Sequence, residues 1–319
     1  MKPKVIISTN ALLHPQRKLG PAYESIFNFA EQCSFRTQMA SVVSPDLLSW
    51  PAHFDDEWGN EFMRLAKRIA SENLKEFEDR STELSELILQ TVNSRKHSVR
   101  AIIDFAKTTD AGMIAAITHL PEHLDDPKTH HEKLLSFPGS FVETLVAESQ
   151  LPVLVVNSQS DPVQKFRKIL VPTDFSKAAR YDFGNIVQLA KTLNAEILLI
   201  HVLTIPEGMT LMEGVGLAGG WPRIEDFMKN VETESKEKSR EILLYARNEN
   251  IKIEFKLIRN RARLSQVILD QALESKSDLI AMTNQTGPIA SLILGSVTRQ
   301  LMRSSQLPVL VFPPLTHDI

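Results

Sequence analysis

Gly139-Ser-Phe-Val-Glu-Thr-Leu-Val-Ala-Glu-Ser-Gln-Leu-Pro-Val-Leu-Val-Val156 returns as Gly295-Ser-Val-Thr-Arg-Gln-Leu-Met-Arg-Ser-Ser-Gln-Leu-Pro-Val-Leu-Val-Phe312, with ten of eighteen positions identical and no gap. From Gly139 to Gly295 the offset is 156 residues, too long for a solenoid unit and about the length of a domain. The chain therefore reads as two copies of one fold, 1–158 and 165–319. Differences between the copies become clues to function.

Each copy carries five short runs rich in Val, Ile and Leu, spaced by longer amphipathic segments. In the second they are Lys168 to Pro172, Glu196 to Leu203, Lys252 to Ile258, Asp278 to Thr283 and Pro308 to Phe312; in the first, Lys4 to Ser8, Thr37 to Val43, Leu87 to Val92, Gly112 to Thr118 and Pro152 to Asn157. Continuous apolar runs with helical spacers mark strands buried on both faces, as in a parallel sheet covered by crossover helices. Each copy is thus expected to be a doubly wound α/β domain with its ligand site outside the carboxyl ends of the strands.

Helix ends are also legible. Ser176 and Asp182 stand near the start of a segment running to Leu193, whose Phe183, Ile186, Val187, Leu189 and Ala190 form an apolar stripe, and Asn194 supplies a stop. A charged helix from about Glu225 to Asn248 is expected to turn Phe227, Val231, Leu243, Leu244 and Ala246 inward; its counterpart is roughly Asp56 to Phe77. Asn157-Ser-Gln-Ser-Asp-Pro-Val-Gln164 is the polar boundary between copies.

Composition narrows the function. The 319 residues are 43% hydrophobic and 24% charged, with a formal charge of −3, so neither nucleic acid nor an anionic membrane is the expected partner. No apolar run is long enough to span a bilayer and the N-terminus enters a strand directly, which points to a cytoplasmic protein. The lone Cys33 is expected to be a structural thiol in a reducing compartment.

Ile169-Leu-Val-Pro-Thr-Asp-Phe-Ser176, His201-Val-Leu after the second strand, and Gly295-Ser-Val followed by Leu-Pro-Val-Leu-Val together resemble the universal stress protein family. The resemblance covers residues 165–313 and, more weakly, 3–157, as in a tandem member. It implies five-stranded parallel sheets of order 3-2-1-4-5 and, in some members, a site for ATP or ADP. It also implies an intramolecular pseudo-dimer through the last strands, with a further homodimer as a candidate assembly.

That resemblance directs attention to Pro172, Thr173 and Asp174 at the first strand end, Val202 at the second, Thr283, Asn284 and Gln285 after the fourth, and Gly295, Ser296 and Val297 at a helix start. Physics assigns several of them work. Free N–H groups at Gly295-Ser296 and the positive helix end can hold a phosphate. The resemblance implies that Asp174 approaches the adenosine part of the ligand and that Val202 flanks the base. The plainer alternative is that Asp174 caps the following helix and Ser296 caps its own.

ATP-binding members share Gly-x-x-Gly, nine residues, then Gly-Ser. Counting back from Gly295 puts Met282 and Gln285 at the two glycine positions. Side chains there obstruct close approach of the backbone to phosphates, although Gly287 offers a shifted loop. The expectation is a weak, altered or empty pocket. The first copy has drifted further: Asn10 stands where Asp174 does, and Leu120 to Pro138 replaces the loop while Gly139-Ser140 survives.

Two other patterns are discounted. Gly214-Val-Gly-Leu-Ala-Gly219 matches the dinucleotide fingerprint but does not join the first strand to its helix; a flap with Met209, Leu211, Met212 and Trp221 explains it better, and that flap could cover an apolar small molecule. His119, His123, His130 and His131 with Asp125 and Asp126 have metal-ligand chemistry but lie on a polar stretch, where solvated histidines are the rule. Arg259, Arg261 and Arg263 could attract an anion or simply face water. No nucleophile elbow, triad order or paired carboxylates can be placed at strand ends, so no enzyme is expected. Three readings follow: a non-catalytic stress-response protein working by ligand sensing and protein contacts, an ATP/ADP-binding sensor through the second copy, and a metal-dependent or nucleotide-hydrolysing enzyme.

Overall fold

The computed structural model describes residues 3–8, 20–43, 86–89, 95–118, 141–204, 224–260, 262–284 and 294–313, together with Arg64 and Arg68. The chain packs as two compact units, one formed by residues 1–165 with 286–319 and the other by 166–285.

In the first unit the strands are β1 (Lys4–Ser8), β2 (Arg36–Val43), β3 (Glu86–Leu89), β4 (Ala111–Thr118), β5 (Val153–Asn157) and β10 (Val309–Phe312). Their order is β3-β2-β1-β4-β5-β10. The first five pair in parallel and show the 3-2-1-4-5 order, whereas β10 pairs with β5 antiparallel. Helices α1 (Pro21–Gln32), α2 (Arg95–Thr108), α3 (Phe141–Glu148) and α7 (Ser296–Ser304) belong to this unit. All five residues of β1 and of β5 are buried, as a strand covered on both faces requires.

The second unit has β6 (Lys168–Pro172), β7 (Glu196–Thr204), β8 (Ile253–Asn260) and β9 (Leu279–Thr283) in the order β9-β6-β7-β8, with α4 (Lys177–Leu193), α5 (Ile224–Asn248) and α6 (Leu264–Glu274). β6 pairs in parallel with β7 and β9, and β7 with β8, Leu170 facing Leu198 on one side and Ile280 on the other. Each of the ten apolar runs contains a strand, residues 90–92 of the Leu87 to Val92 run lying outside the described residues.

Local chemistry explains the element ends. Ser176 is the N-cap of α4, its hydroxyl accepting from the Ala179 amide at 3.2 Å. Asn194 closes the helix in the left-handed region at φ 50°, so its own amide reaches back to the Ala190 and Lys191 carbonyls. Phe183, Ile186, Val187 and Ala190 are buried as the stripe predicts, and Leu193 joins them while Leu189 is half-buried. The inner face of α5 is corrected in part. Ala246 is buried as expected and Val231 and Leu243 are half-buried, but Leu244 is 58% exposed, and Ser235, Ser239 and Ile242 are buried instead. The two serines fit because their hydroxyls donate to the helix's own Val231 and Lys236 carbonyls, which removes the cost of burying them. The predicted Phe227 side chain and the Asp56 to Phe77 helix lie outside the described residues, apart from Arg64 and Arg68.

The polar boundary stretch is tied down. The Asn157 side chain accepts from the Gln159 amide at 3.0 Å. Val163 is pinned to α1 at both ends, its amide donating to Ser25 Oγ at 2.9 Å and its carbonyl accepting from Asn28 Nδ2 at 3.0 Å.

The left-handed C-cap yields a direct expectation. Asn194→Ala should cost about 1 kcal/mol, because a β-carbon without a compensating polar group is disfavoured there, whereas Asn194→Gly should cost nothing. Urea unfolding midpoints of the two variants check this.

Candidate functional site

The best-defined part of the predicted site is the turn after β6. The Thr173 amide donates to the Ile200 carbonyl at 2.9 Å, carrying the pairing of β6 with β7 one residue further. The Thr173 carbonyl lies 2.7 Å from His201 Nδ1, and its hydroxyl accepts from the Phe175 amide at 3.0 Å. Asp174 Oδ1 then accepts from the Ser176 amide at 2.8 Å. These short-range bonds hold Phe175 at φ 59°, a left-handed conformation costing a phenylalanine about 1–2 kcal/mol. Burial of the ring offsets that cost: it packs 4.8 Å from His201 and 6.0 Å from Phe255. The turn therefore drives Phe175 inward and leaves Asp174 exposed at the carboxyl end of the sheet. Asp174 does shape the entry to α4, but Ser176 is the cap.

Val202 is half-buried on β7, opposite Ile258 of β8. Thr283 ends β9 and is buried, and so is Asn284, at 1% exposure. Neither amide atom of Asn284 has a hydrogen-bond partner among the described residues. An unpaired buried amide costs about 1–3 kcal/mol. Met282 is also buried, as the next-to-last residue of β9. Gln285 and Gly287 lie outside the described residues.

Sequence reasoning missed the buried role of Asp182. This α4 residue is 3% exposed, and its Oδ2 has no hydrogen-bond partner among the described residues. Burial pushes its carboxyl above the ordinary range, opposed by hydrogen bonds from the Thr283 and Asn185 side chains. A contact to a strand end some hundred residues away leaves no local pattern to read.

Gly295, Ser296 and Val297 open α7 in the first unit. Gly295 is the N-cap, at φ −58° and ψ 145°, and Ser296 is the first helical residue with an exposed side chain. This corrects the alternative that Ser296 caps the helix. With glycine at the cap, the cap residue has no side chain to bond the N–H groups of the first turn, which suits an anion site.

The arginine group separates. Arg259 pairs with Glu232 of α5, and Arg263 is the exposed N-cap of α6. Arg261 is outside the described residues, as are Asn10, Gly139 and Ser140, the His119 to His131 stretch and the glycine-rich Gly214 to Gly219. Among the described residues no group of three or more His, Cys, Asp or Glu could hold a metal ion, and no helix is long and apolar enough to cross a membrane. Cys33 is buried and its thiol is pushed up to about 12 by desolvation, which leaves it un-ionised and inert near neutrality. A polar groove of about 800 Å³ lies at the opposite, amino ends of the second unit's strands, between Lys168, Glu196, Lys252 and Asp278. It is remote from the strand ends where such sheets bind ligands.

The universal stress protein family model matches residues 165–313, so this part of the chain is similar to a universal stress protein domain. Over 148 residues the chain is 27% identical to universal stress protein MJ0531 of Methanocaldococcus jannaschii, covering 46% of this chain and 81% of that protein. Universal stress protein MJ0577 of the same organism is 28% identical over 158 residues, with 46% and 94% covered. A universal stress protein structure from Archaeoglobus fulgidus DSM 4304 shares the α/β fold across 99% of this chain and 98% of its own, with a TM-score of 0.60 at 17% identity.

The buried acid gives a pH test. With its folded-state pKa raised, Asp182 stays protonated in the native protein where the unfolded chain has already ionised. Stability should therefore fall as pH rises from about 3.8 through the folded value. Asp182→Asn should remove this component, so that the variant gains on the wild type as pH increases; urea midpoints from pH 3.5 to 7.5 would show it.

Proposed function

We propose that this chain is a non-catalytic stress-response protein built from two universal stress protein-like domains, 1–158 and 165–319, and that it acts by ligand sensing and protein contacts. The observation carrying this reading is the divided fate of the motif within the matched residues 165–313. The strand-end turn is kept with Asp174 exposed, and Gly295 is kept at the start of α7, while the two loop glycines are replaced by Met282 and Gln285. The burial of Met282 supports the degenerate loop. A side chain anchored in the core fixes that position as strand, where glycine would leave bare backbone for a phosphate. The Archaeoglobus likeness, which spans both copies, supports the tandem reading. On this reading the first domain serves as the structural partner of the second, the last strands pair as a pseudo-dimer, and the protein works in the cytoplasm. An apolar small molecule and a homodimer are further candidate partners.

The second reading, an ATP or ADP sensor in the C-terminal domain, is favoured by Asn284. Among the described residues its buried amide has a donor and an acceptor unused, next to Thr283 at the end of β9. Here Asp174 would approach the adenosine part of the nucleotide and Val202 its base, while Thr283 to Gln285 stand where the loop would near the phosphates. The third reading, a metal-dependent or nucleotide-hydrolysing enzyme, predicts phosphate release from ATP that a chelator abolishes.

Calorimetry with ATP and with ADP, each with and without Mg²⁺, on the wild type and on Asp174→Ala separates these readings. The degenerate-loop reading expects no saturable heat at micromolar nucleotide. Micromolar binding that Asp174→Ala abolishes would establish the nucleotide sensor instead. No phosphate release is expected in either case.

A further inference from the structure

The antiparallel pairing of β5 with β10 has the register of a symmetric contact. Val309 faces Val155, Leu310 faces Leu154 and Val311 faces Val153. Under the repeat, Leu154 and Leu310 are equivalent positions, as are Val153 and Val309, and Val155 and Val311. Each residue thus faces the counterpart required by a two-fold axis through the Leu154 and Leu310 pair, so the contact is isologous in form. A surface of this kind permits three pairings: first repeat with first, second with second, and first with second. The apolar strands, alike in both copies, do not choose between them.

The flanking helices do choose. The fifth position of the repeat is Glu143 in α3 and Arg299 in α7; the ninth is Ala147 and Arg303. Glu143 Oε2 lies 3.3 Å from Arg299 Nε, and Oε1 accepts from Arg303 at 2.8 Å through Nε and 2.7 Å through Nη2. The Glu143 side chain is only 14% exposed. Equivalent positions across the axis thus carry opposite charge, and one acid meets two guanidinium groups.

The geometry points to Glu143, Arg299 and Arg303 as the specificity element of this interface, fitting the first repeat to the second and rejecting either repeat as its own partner. In a first-with-first pairing the two-fold sets Glu143 against another Glu143, and in a second-with-second pairing it brings Arg299 against the Arg299 and Arg303 of the other copy. Like charges in an otherwise complementary surface discriminate through repulsion in the wrong pairing as much as attraction in the right one. The partner the surface accepts is the second repeat of this chain, and covalent linkage of the repeats raises its effective concentration. This does not depend on whether a nucleotide binds.

Charge exchange in the full-length protein tests it. Glu143→Arg places three arginines together, and the double variant Arg299→Glu with Arg303→Glu places three acids together. Each should lower Tm by about 3–6 °C. The triple variant combining all three changes restores opposite charges in reversed sense and should recover most of the loss. Raising NaCl should narrow the gap between the mismatched and matched proteins. Glu143→Gln, which removes charge with little change of shape, should give a smaller loss than Glu143→Arg and covers the case in which a reversal variant fails to fold. Additive losses in the triple variant, or a Glu143→Arg loss no larger than that of Glu143→Gln, would overturn the assignment.

Discussion

A strand as apolar as Val153–Asn157 cannot form the open edge of a sheet in water, because it would expose both its side chains and an unpaired row of amides and carbonyls. The same constraint applies to Val309–Phe312, which is buried throughout. Antiparallel pairing of the two satisfies both. Much of the chain's organisation follows from it. The segment containing β10 and α7 belongs to the compact unit of the first copy, although its sequence is the end of the second copy. Sequence repeat and packing unit consequently divide the chain at different places.

The strands were legible because burial on both faces leaves an uninterrupted run of branched aliphatic residues, which survives drift between the copies. Helix ends were legible where the signal is local: a serine at an N-cap, an asparagine in the left-handed region. The inner face of α5 was not, since Ser235 and Ser239 satisfy their own hydroxyls on the helix backbone and so occupy positions that hydropathy assigns to leucine. Asp182 was likewise hidden, because its partner Thr283 comes from a distant strand.

The candidate site divides in the same way. The turn at Thr173 to Ser176 was readable as a strand end with capping residues, but not its internal logic. That logic is a left-handed Phe175 held by Thr173 and by ring packing on His201, which turns the adjoining carboxylate outward. The Gly-Ser helix start was readable; the assignment of the cap to Gly295 depends on backbone angles that sequence does not encode directly. The neutral thiol of Cys33 and the ion pair of Arg259 show the converse: residues with reactive or anion-binding chemistry that their surroundings occupy with structural work.

The distance in sequence between β5 and β10 has a cost that falls during synthesis. Val155 and its partner Val309 are 154 residues apart along the chain. At roughly 5–20 residues per second, translation leaves the β5 edge uncovered for about 8–30 s after it emerges, while the whole of residues 166–285 is being made. Over that interval a sheet edge built to pair with an almost identical strand is available to any nascent neighbour on the same message. During that wait the Glu143 carboxylate carried by every such edge sets like charge against like, which opposes pairing between unfinished chains until the last strand arrives.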